Sequence, residues 1–331
     1  MPIRFEQTIS CIFVTLLLRA QAPFAKPIKG AWKELPDIIE GPSQYHGSAE
    51  INGSIYLVGG VGAFRETLHY LRVYDVDGRI WRVKSAVPRA IHRPNVAAVR
   101  GKLYVLGGLL PSFDATGQSW VYDPVKDEWE EIEEMGKEQA RGAAAVGVIG
   151  KNIYVAGGFR NFQAVGLMSC YDTKTGKWTH DLAKMKHPRD HALGVSMDQS
   201  LYVIGGRNGS IESTSNHVEQ YFPSEDKWLI LKKTLLSRSG MAGVVIDGRI
   251  MILGGEGVVG RSLQTGVDHQ VIPVIEEFNA TANKWKIKGS MKEPRHGLSA
   301  INHKNELFIA GGANVTLFGP VRVLQSYIPP T

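Results

Sequence analysis

Four arginines recur at one fixed place in this chain. Arg141, Arg189, Arg238 and Arg295 each lie 17 residues ahead of the second glycine of a Gly-Gly pair, in the texts QARGAAAV, PRDHALGV, SRSGMAGV and PRHGLSAI. Two more stretches occupy the same place without it: PSQYHGSAE, with Ser43, and the offset PRAIHRPNVAA, with Arg89, His92 and Arg93. A fifth arginine, Arg207, follows directly on a glycine pair in Gly206-Arg207-Asn208, and Gly158-Phe159-Arg160 is a looser echo. A guanidinium offers a planar fork of donors to carboxylate or phosphate, so several converging on one opening would hold an anion. The competing reading is structural: an arginine at a fixed place in a repeat hydrogen-bonds carbonyls of the adjacent unit.

Histidines fall at the same places: His46, His92, His191 and His296. A metal site needs three or four ligands to converge. Each histidine belongs to a different unit and no H-x-H or His/carboxylate spacing supports them, so neither metal nor cofactor is expected. One stretch breaks the rhythm. Between Gly255 and Trp285, EGVVGRSLQTGVDHQVIPVIEEF carries Glu256, Arg261, Asp268 and His269. Extra loop length is where specificity is built on a rigid scaffold. Glu256 among arginines could serve as a proton-transfer base, with Arg261 beside it, and an insertion without chemistry fits the text equally. No P-loop, G-x-S-x-G, H-E-x-x-H or EF-hand pattern is present.

The elements that carry these residues repeat. IYLVGG, LYVLGG, IYVAGG, LYVIGG, IMILGG and LFIAGG end in glycine pairs that start at 59, 107, 157, 205, 254 and 311. A period near 50 marks a repeat architecture. Within residues 189–228, HALGVSM, LYVIGG, HVEQYF and the segment opened by Trp228 read as four short antiparallel strands separated by turn formers. No segment has capped helical periodicity, so helix content should be low. The small apolar stretch after each arginine should be the innermost strand, which puts the arginines at the rim of a central channel.

Trp81, Trp129, Trp178, Trp228 and Trp285 close five units, and the unit at 307–331 has none. The chain start supplies it: GAWKELPDI, with Trp32, reads as an orphan fourth strand that pairs with the last sheet and closes a ring. Six blades follow, an all-β propeller with four antiparallel strands per blade. The glycine pairs, the Tyr-Asp at 74–75, 122–123 and 171–172, and the Trp about 20 residues after the glycines resemble kelch repeats.

That resemblance implies a six-bladed kelch propeller over about 30–331. It leaves function open, because such propellers include actin binders, degron receptors, secreted proteins and a few enzymes. In kelch propellers that bind acidic peptides, the strand-opening arginine and the Arg-Asn after a glycine pair point into the mouth. The resemblance therefore implies ligand-binding roles for Arg141, Arg189, Arg207, Arg238 and Arg295. Copper-radical galactose oxidases share the propeller but need a Tyr-Cys cross-link, and only Cys170 is available. Sialic-acid epimerases are secreted kelch propellers that use Arg and Glu around a carboxylated sugar, parts that Arg238, Glu256 and Arg261 would take.

The totals agree with one globular all-β domain: 331 residues, 43% apolar, 37 glycines and a net charge of +6 spread without blocks. Such a balance makes no case for nucleic acid. Arg4, the apolar run 9–18 and Ala20-Gln21-Ala22 form a leader pattern over residues 1–22, too short to span a bilayer. Cys11 would leave with it, and Cys170 reads as an inert buried thiol. Asn52, Asn208, Asn279 and Asn314 open N-x-S/T sequons in turns. The expectation is a secreted, monomeric kelch-repeat interaction protein (residues 23–331), without a stable membrane span. It would recognise a protein, or an acidic peptide or carboxylated or sulfated glycan, at an arginine-lined mouth. The alternative is a sugar isomerase on the same scaffold.

Overall fold

The computed structural model describes residues 30–260 and 268–330, which form six four-stranded antiparallel blades. In the first blade Gly47–Ile51, Ser54–Val58, Leu71–Asp75 and Ile80–Lys84 pair in chain order. The second strand is a continuous apolar run because blades cover it on both sides. Ile55 and Leu57 pack with Phe308 and Leu324 of the sixth blade, whereas Tyr56 and Val58 pack with Leu103 and Val105 of the second. The innermost strands, which begin at Gly47, Val96, Ala145, Leu193, Ser239 and Ser299, neighbour one another in a closed circle around the channel.

The ring closes as expected. Ala31–Leu35 pairs antiparallel with Leu324–Ile328 as the outer strand of the sixth blade. Trp32 thereby meets Tyr327 with ring centroids 4.6 Å apart. The pairing repeats across the turn in other blades: Tyr74–Trp81 and Tyr122–Trp129 at 5.1 and 5.0 Å, Phe278–Trp285 at 4.8 Å. The tryptophan edge also bridges blades. The indole N–H of Trp129 donates to Ser85 O at 2.8 Å and that of Trp178 to Glu133 O at 2.9 Å. An aromatic pair contributes about 0.5–1.5 kcal/mol beyond its burial.

The glycine pairs bend each second strand against the next blade. At Gly59 φ is +60°, and a Cβ would stand 2.2 Å from Ile91 O; at Gly254 φ is +67°, and the clash would be with Arg295 O at 2.3 Å. The following glycine donates its N–H to that same carbonyl, Gly60 to Ile91 O and Gly255 to Arg295 O, both at 2.9 Å. Only glycine allows both the left-handed turn and the close approach.

Among the described residues the one helical element is the 3-10 turn Ile211–Ser213, and no helix is long and apolar enough to cross a membrane. The long loop of the fifth blade returns as Asp268–Val271 on the extended second strand Arg249–Gly260. Arg261, the leader pattern at 1–22 and Cys11 lie outside the described residues. Cys170 is buried, and burial pushes its thiol up to about 11. Asn52, Asn208 and Asn314 are exposed, while Asn279 is half-buried and accepts the Ala282 N–H.

Candidate functional site at the channel mouth

The strand-opening arginines turn into their blades. Arg141, Arg189, Arg238 and Arg295 are all buried. Arg141 donates to Gly157 O and Val155 O, each at 2.8 Å. Arg189 donates to Val203 O at 3.1 Å and pairs with Glu219. Arg238 donates to Gly254 O at 3.0 Å and Val274 O at 2.8 Å, and pairs with Glu276. Arg295 reaches Ile309 O at 3.4 Å and Gln325 Oε1 at 3.2 Å. In the first blade the place is filled from the other side: Arg72 of the third strand donates to Ser43 Oγ at 2.8 Å. The expected ring of ligand-facing arginines is therefore corrected for these four. The left-handed glycine pair takes carbonyls out of the sheet ladder, and a buried carbonyl needs a donor. Burial drops Arg141 to about 9 and Arg295 to about 10.

Two residues further along the chain lies the actual lining of the mouth. Tyr45, Arg93, Ala143, His191, Gly240 and Gly297 occupy equivalent places in the six blades. All are left-handed, with φ between 50° and 61°. Their amides close a circle. The N–H of Tyr45 donates to Gly297 O at 2.7 Å, Arg93 to Tyr45 O, Ala143 to Arg93 O, His191 to Ala143 O and Gly240 to His191 O at 2.9 Å, and Gly297 to Gly240 O at 2.8 Å. This circuit offsets the strain of four non-glycine residues in a costly region. Inside it lies a cavity of about 130 Å³. Tyr45, Arg93 and His191 project over its rim, the Tyr45 ring lying across Gly297, while Ala143, Gly240 and Gly297 bring little or no side chain of their own. The channel below, about 270 Å³, has Pro94, Ala144, Ala192, Met241 and Leu298 in its wall.

The residue after each glycine pair pairs with the one after the strand-opening residue, as in Asp190↔Arg207 and Ser239↔Glu256. This register brings Arg207 and Glu256 of neighbouring blades together at 3.0 Å. Arg207 also pairs with Asp190 at 3.4 Å. Burial works against its charge, but Tyr45, Asp190 and Glu256 hold its pKa above the ordinary value. Glu256 is fully buried and has both oxygens engaged, one by Arg207 and Tyr45 Oη at 3.2 Å, the other by the Leu317 N–H at 2.8 Å. Tyr45 Oη also stands 3.2 Å from His296 Nδ1. Burial and the Glu256 charge push Tyr45 up to about 12.

Arg93 differs from Arg207. Among the described residues no carboxylate forms an ion pair with it. Its Nε donates to His191 Nε2 at 2.7 Å, and its Nη1 lies 2.7 Å from His92 Nδ1. Both imidazoles are neutral, held down to about 3 by burial and by neighbouring arginine charge. Asp190 takes the Nδ1 proton of His191, and Leu110 O takes the Nε2 proton of His92 at 3.0 Å, so the facing nitrogens accept. The guanidinium lies over Tyr45, 4.1 Å from its centroid, and 5.6 Å from Phe113. It is a fixed cation with neutral partners, beside a cavity.

Of the expected site residues the structure brings Arg207 and Glu256 to the mouth, with His191, His296 and His92. His46 is turned to Ser43 Oγ at 3.1 Å. Tyr45, Asp190 and the part played by Arg93 escaped the sequence reading. The available signal is a spacing: the six circuit residues each stand fifteen residues before the second glycine of their unit, without exception.

Comparison with known proteins agrees with the architecture. The family model for the Attractin/LZTR1 beta-propeller matches residues 50–321. The chain is 32% identical to Kelch-like protein terF of Aspergillus terreus, over 97% of this chain and 74% of that protein. It is 24% identical to human Kelch-like protein 23 over 78% of its length, but spans only 43% of that protein. The solved structure of YjhT superposes with a TM-score of 0.72 over 88% of this chain and 96% of that one, at 16% identity, which speaks to the fold alone. With the six blades, the glycine pairs and the closing Trp32 strand, these matches place the chain in the kelch-repeat β-propellers, within the Attractin/LZTR1 propeller family.

Proposed function

We propose that this chain is an interaction propeller whose channel mouth receives an anionic group, a carboxylate or sulfate of a protein or glycan partner, on Arg93. One observation carries the reading: among the described residues Arg93 forms no ion pair with a carboxylate, and two neutral imidazoles hold it at the edge of an open cavity. Arg207 shapes the wall, its own charge answered by Glu256 and Asp190. Arg141, Arg189, Arg238 and Arg295 belong to the scaffold in this reading. The relatives named Kelch-like support a partner-binding role. The test is a thermal-shift series with N-acetylneuraminate, chondroitin sulfate and poly-L-glutamate on the wild type and Arg93→Gln. Stabilisation of the wild type alone supports the reading, and equal stabilisation of both opposes it.

A sugar isomerase acting on a carboxylated substrate is the second reading, and Tyr45 between Glu256 and His296 is what favours it. Glu256 has both oxygens committed, which suits positioning better than proton abstraction. Export remains part of the proposal through residues 1–22. N-terminal sequencing of protein recovered from culture medium should start near residue 23, and recovery only inside cells would oppose export.

A further inference from the structure

Three phenylalanines stand around the mouth on consecutive blades. Phe64, Phe113 and Phe162 sit on the loops after the glycine pairs of blades one, two and three, 91%, 47% and 71% exposed. Blade six adds Leu317 at 58%. These loops leave the second strands at the end where the first strands open, as the bridges Gln44↔Val61, His92↔Leu109 and Gly142↔Phe159 establish. The tips therefore surround the opening in which Arg93 lies. Phe113, Phe162 and Leu317 have φ of 67°, 59° and 66°, a region that bulky residues enter only at steric cost. Single exposed apolar residues need no explanation, but four on loops around one opening give that rim an apolar character.

Phe113 ties this rim to the anion site. Its ring lies 5.6 Å from the Arg93 guanidinium carbon and packs edge-on with His92 at 4.8 Å. A carboxylate seated on Arg93 would thus have an aromatic wall beside it. Resting on the anion-binding reading above, we propose that the partner is a protein segment in which an acidic side chain is flanked, within a few residues, by large apolar side chains. The acid enters the mouth to Arg93, and the flanks cover Phe113 with Phe64 or Phe162. Charge complementarity selects the acid, and the exposed rings select its neighbours. A lipid surface fits less well. The tips are interleaved with both signs of charge, Arg65, Glu66, Asp114 and Arg160, and Arg93 is recessed beside the buried Tyr45 and Asp190.

The test is panning of a phage-displayed random dodecapeptide library on the wild-type protein. Recovered peptides are expected to carry Asp or Glu close to Phe, Trp, Leu, Ile or Met. A synthetic copy of the most enriched peptide should bind the Phe64→Ser/Phe113→Ser/Phe162→Ser protein about tenfold more weakly. The single variants Phe64→Ser and Phe162→Ser, at exposed tips, serve if the triple one fails to fold. Acidic peptides without apolar enrichment, equally tight on the phenylalanine variants but weakened by Arg93→Gln, overturn this inference and leave the anion reading standing. Apolar peptides indifferent to Arg93→Gln overturn the anion reading and this inference with it. No enrichment overturns the inference, and phenylalanine-dependent sedimentation with phosphatidylcholine–phosphatidylserine vesicles would then reassign the rim to a lipid surface.

Discussion

His191 accepts a hydrogen bond from Arg93 at 2.7 Å while its other nitrogen is held by Asp190. One buried carboxylate on the fourth blade thereby sets the orientation of a cation on the second, across the channel. Asp190 also receives the Gly209 N–H at 2.9 Å and pairs with Arg207. Burial alone would raise its pKa, but His191, Arg207 and Gly209 together hold it low. Asp190→Asn should lower the stability by about 3 kcal/mol, because it leaves a buried ion network uncompensated. It should also weaken anion binding, because His191 can then present its N–H to Arg93. Urea denaturation and titration of the refolded variant measure the two effects separately. Full stability with unaltered binding would show that Asp190 does not orient Arg93.

The strand-opening arginines should behave as scaffold. Arg238→Ala abandons buried Glu276 together with the carbonyls of Gly254 and Val274, and should cost about 3–5 kcal/mol. Arg141→Ala leaves carbonyls but no carboxylate, and should cost less, about 2 kcal/mol. Equilibrium denaturation checks the order. Two stable variants that lose ligand would return these arginines to the mouth.

Closure of the ring makes Trp32 a structural residue near the chain start. Trp32→Ala should cost about 2 kcal/mol, the low side for a half-buried aromatic. Deleting residues 31–35 should expose the edge of Leu324–Ile328 and promote aggregation. Light scattering during a thermal ramp reads both.

Acid should destabilise the fold before carboxylates titrate. His46, His92 and His191 are held at about 3 and His217 at about 4, with burial the largest cause in each, against an ordinary value of 6.5. Below about pH 6.5 the unfolded chain binds protons that the folded chain refuses, so stability is complete above that pH and falls towards pH 3. The melting temperature should be level from pH 7 to about 8.5 and fall steadily between about 6.5 and 4. His191→Gln should flatten part of that slope. A melting temperature that stays level down to pH 4 would contradict the burial of neutral imidazoles.

The fold was legible because its determinants are local and recur. Gly205 must turn where the next blade approaches, and Trp228 must face Tyr221 across a tight turn, so both appear at fixed intervals. The ring closure was legible from Trp32 for the same reason. The mouth was legible only in part. Arg207 and Glu256 follow glycine pairs and were found by position. The direction of the Arg189 side chain was not readable, because repeat text gives a place along the strand and not the face presented. Tyr45 and Arg93 were hidden because Ser43 and Ile91 replace arginine two residues earlier, which made the first two units look out of register. The buried Arg72 shows why the first unit tolerates that change.

The central claim is that Arg93 is the anion anchor of an otherwise neutralised mouth. The most direct measurement is the melting temperature of wild type, Arg93→Gln and Ala143→Tyr, each with and without the stabilising anion from the panel. At 100 times its dissociation constant a ligand adds about 2.7 kcal/mol, well within reach of a melting curve. The expected result is stabilisation of the wild type, none for Arg93→Gln, and none for Ala143→Tyr, whose added ring enters the cavity that Ala143 lines. Stabilisation that survives both substitutions would contradict the claim and move the anion site away from the channel.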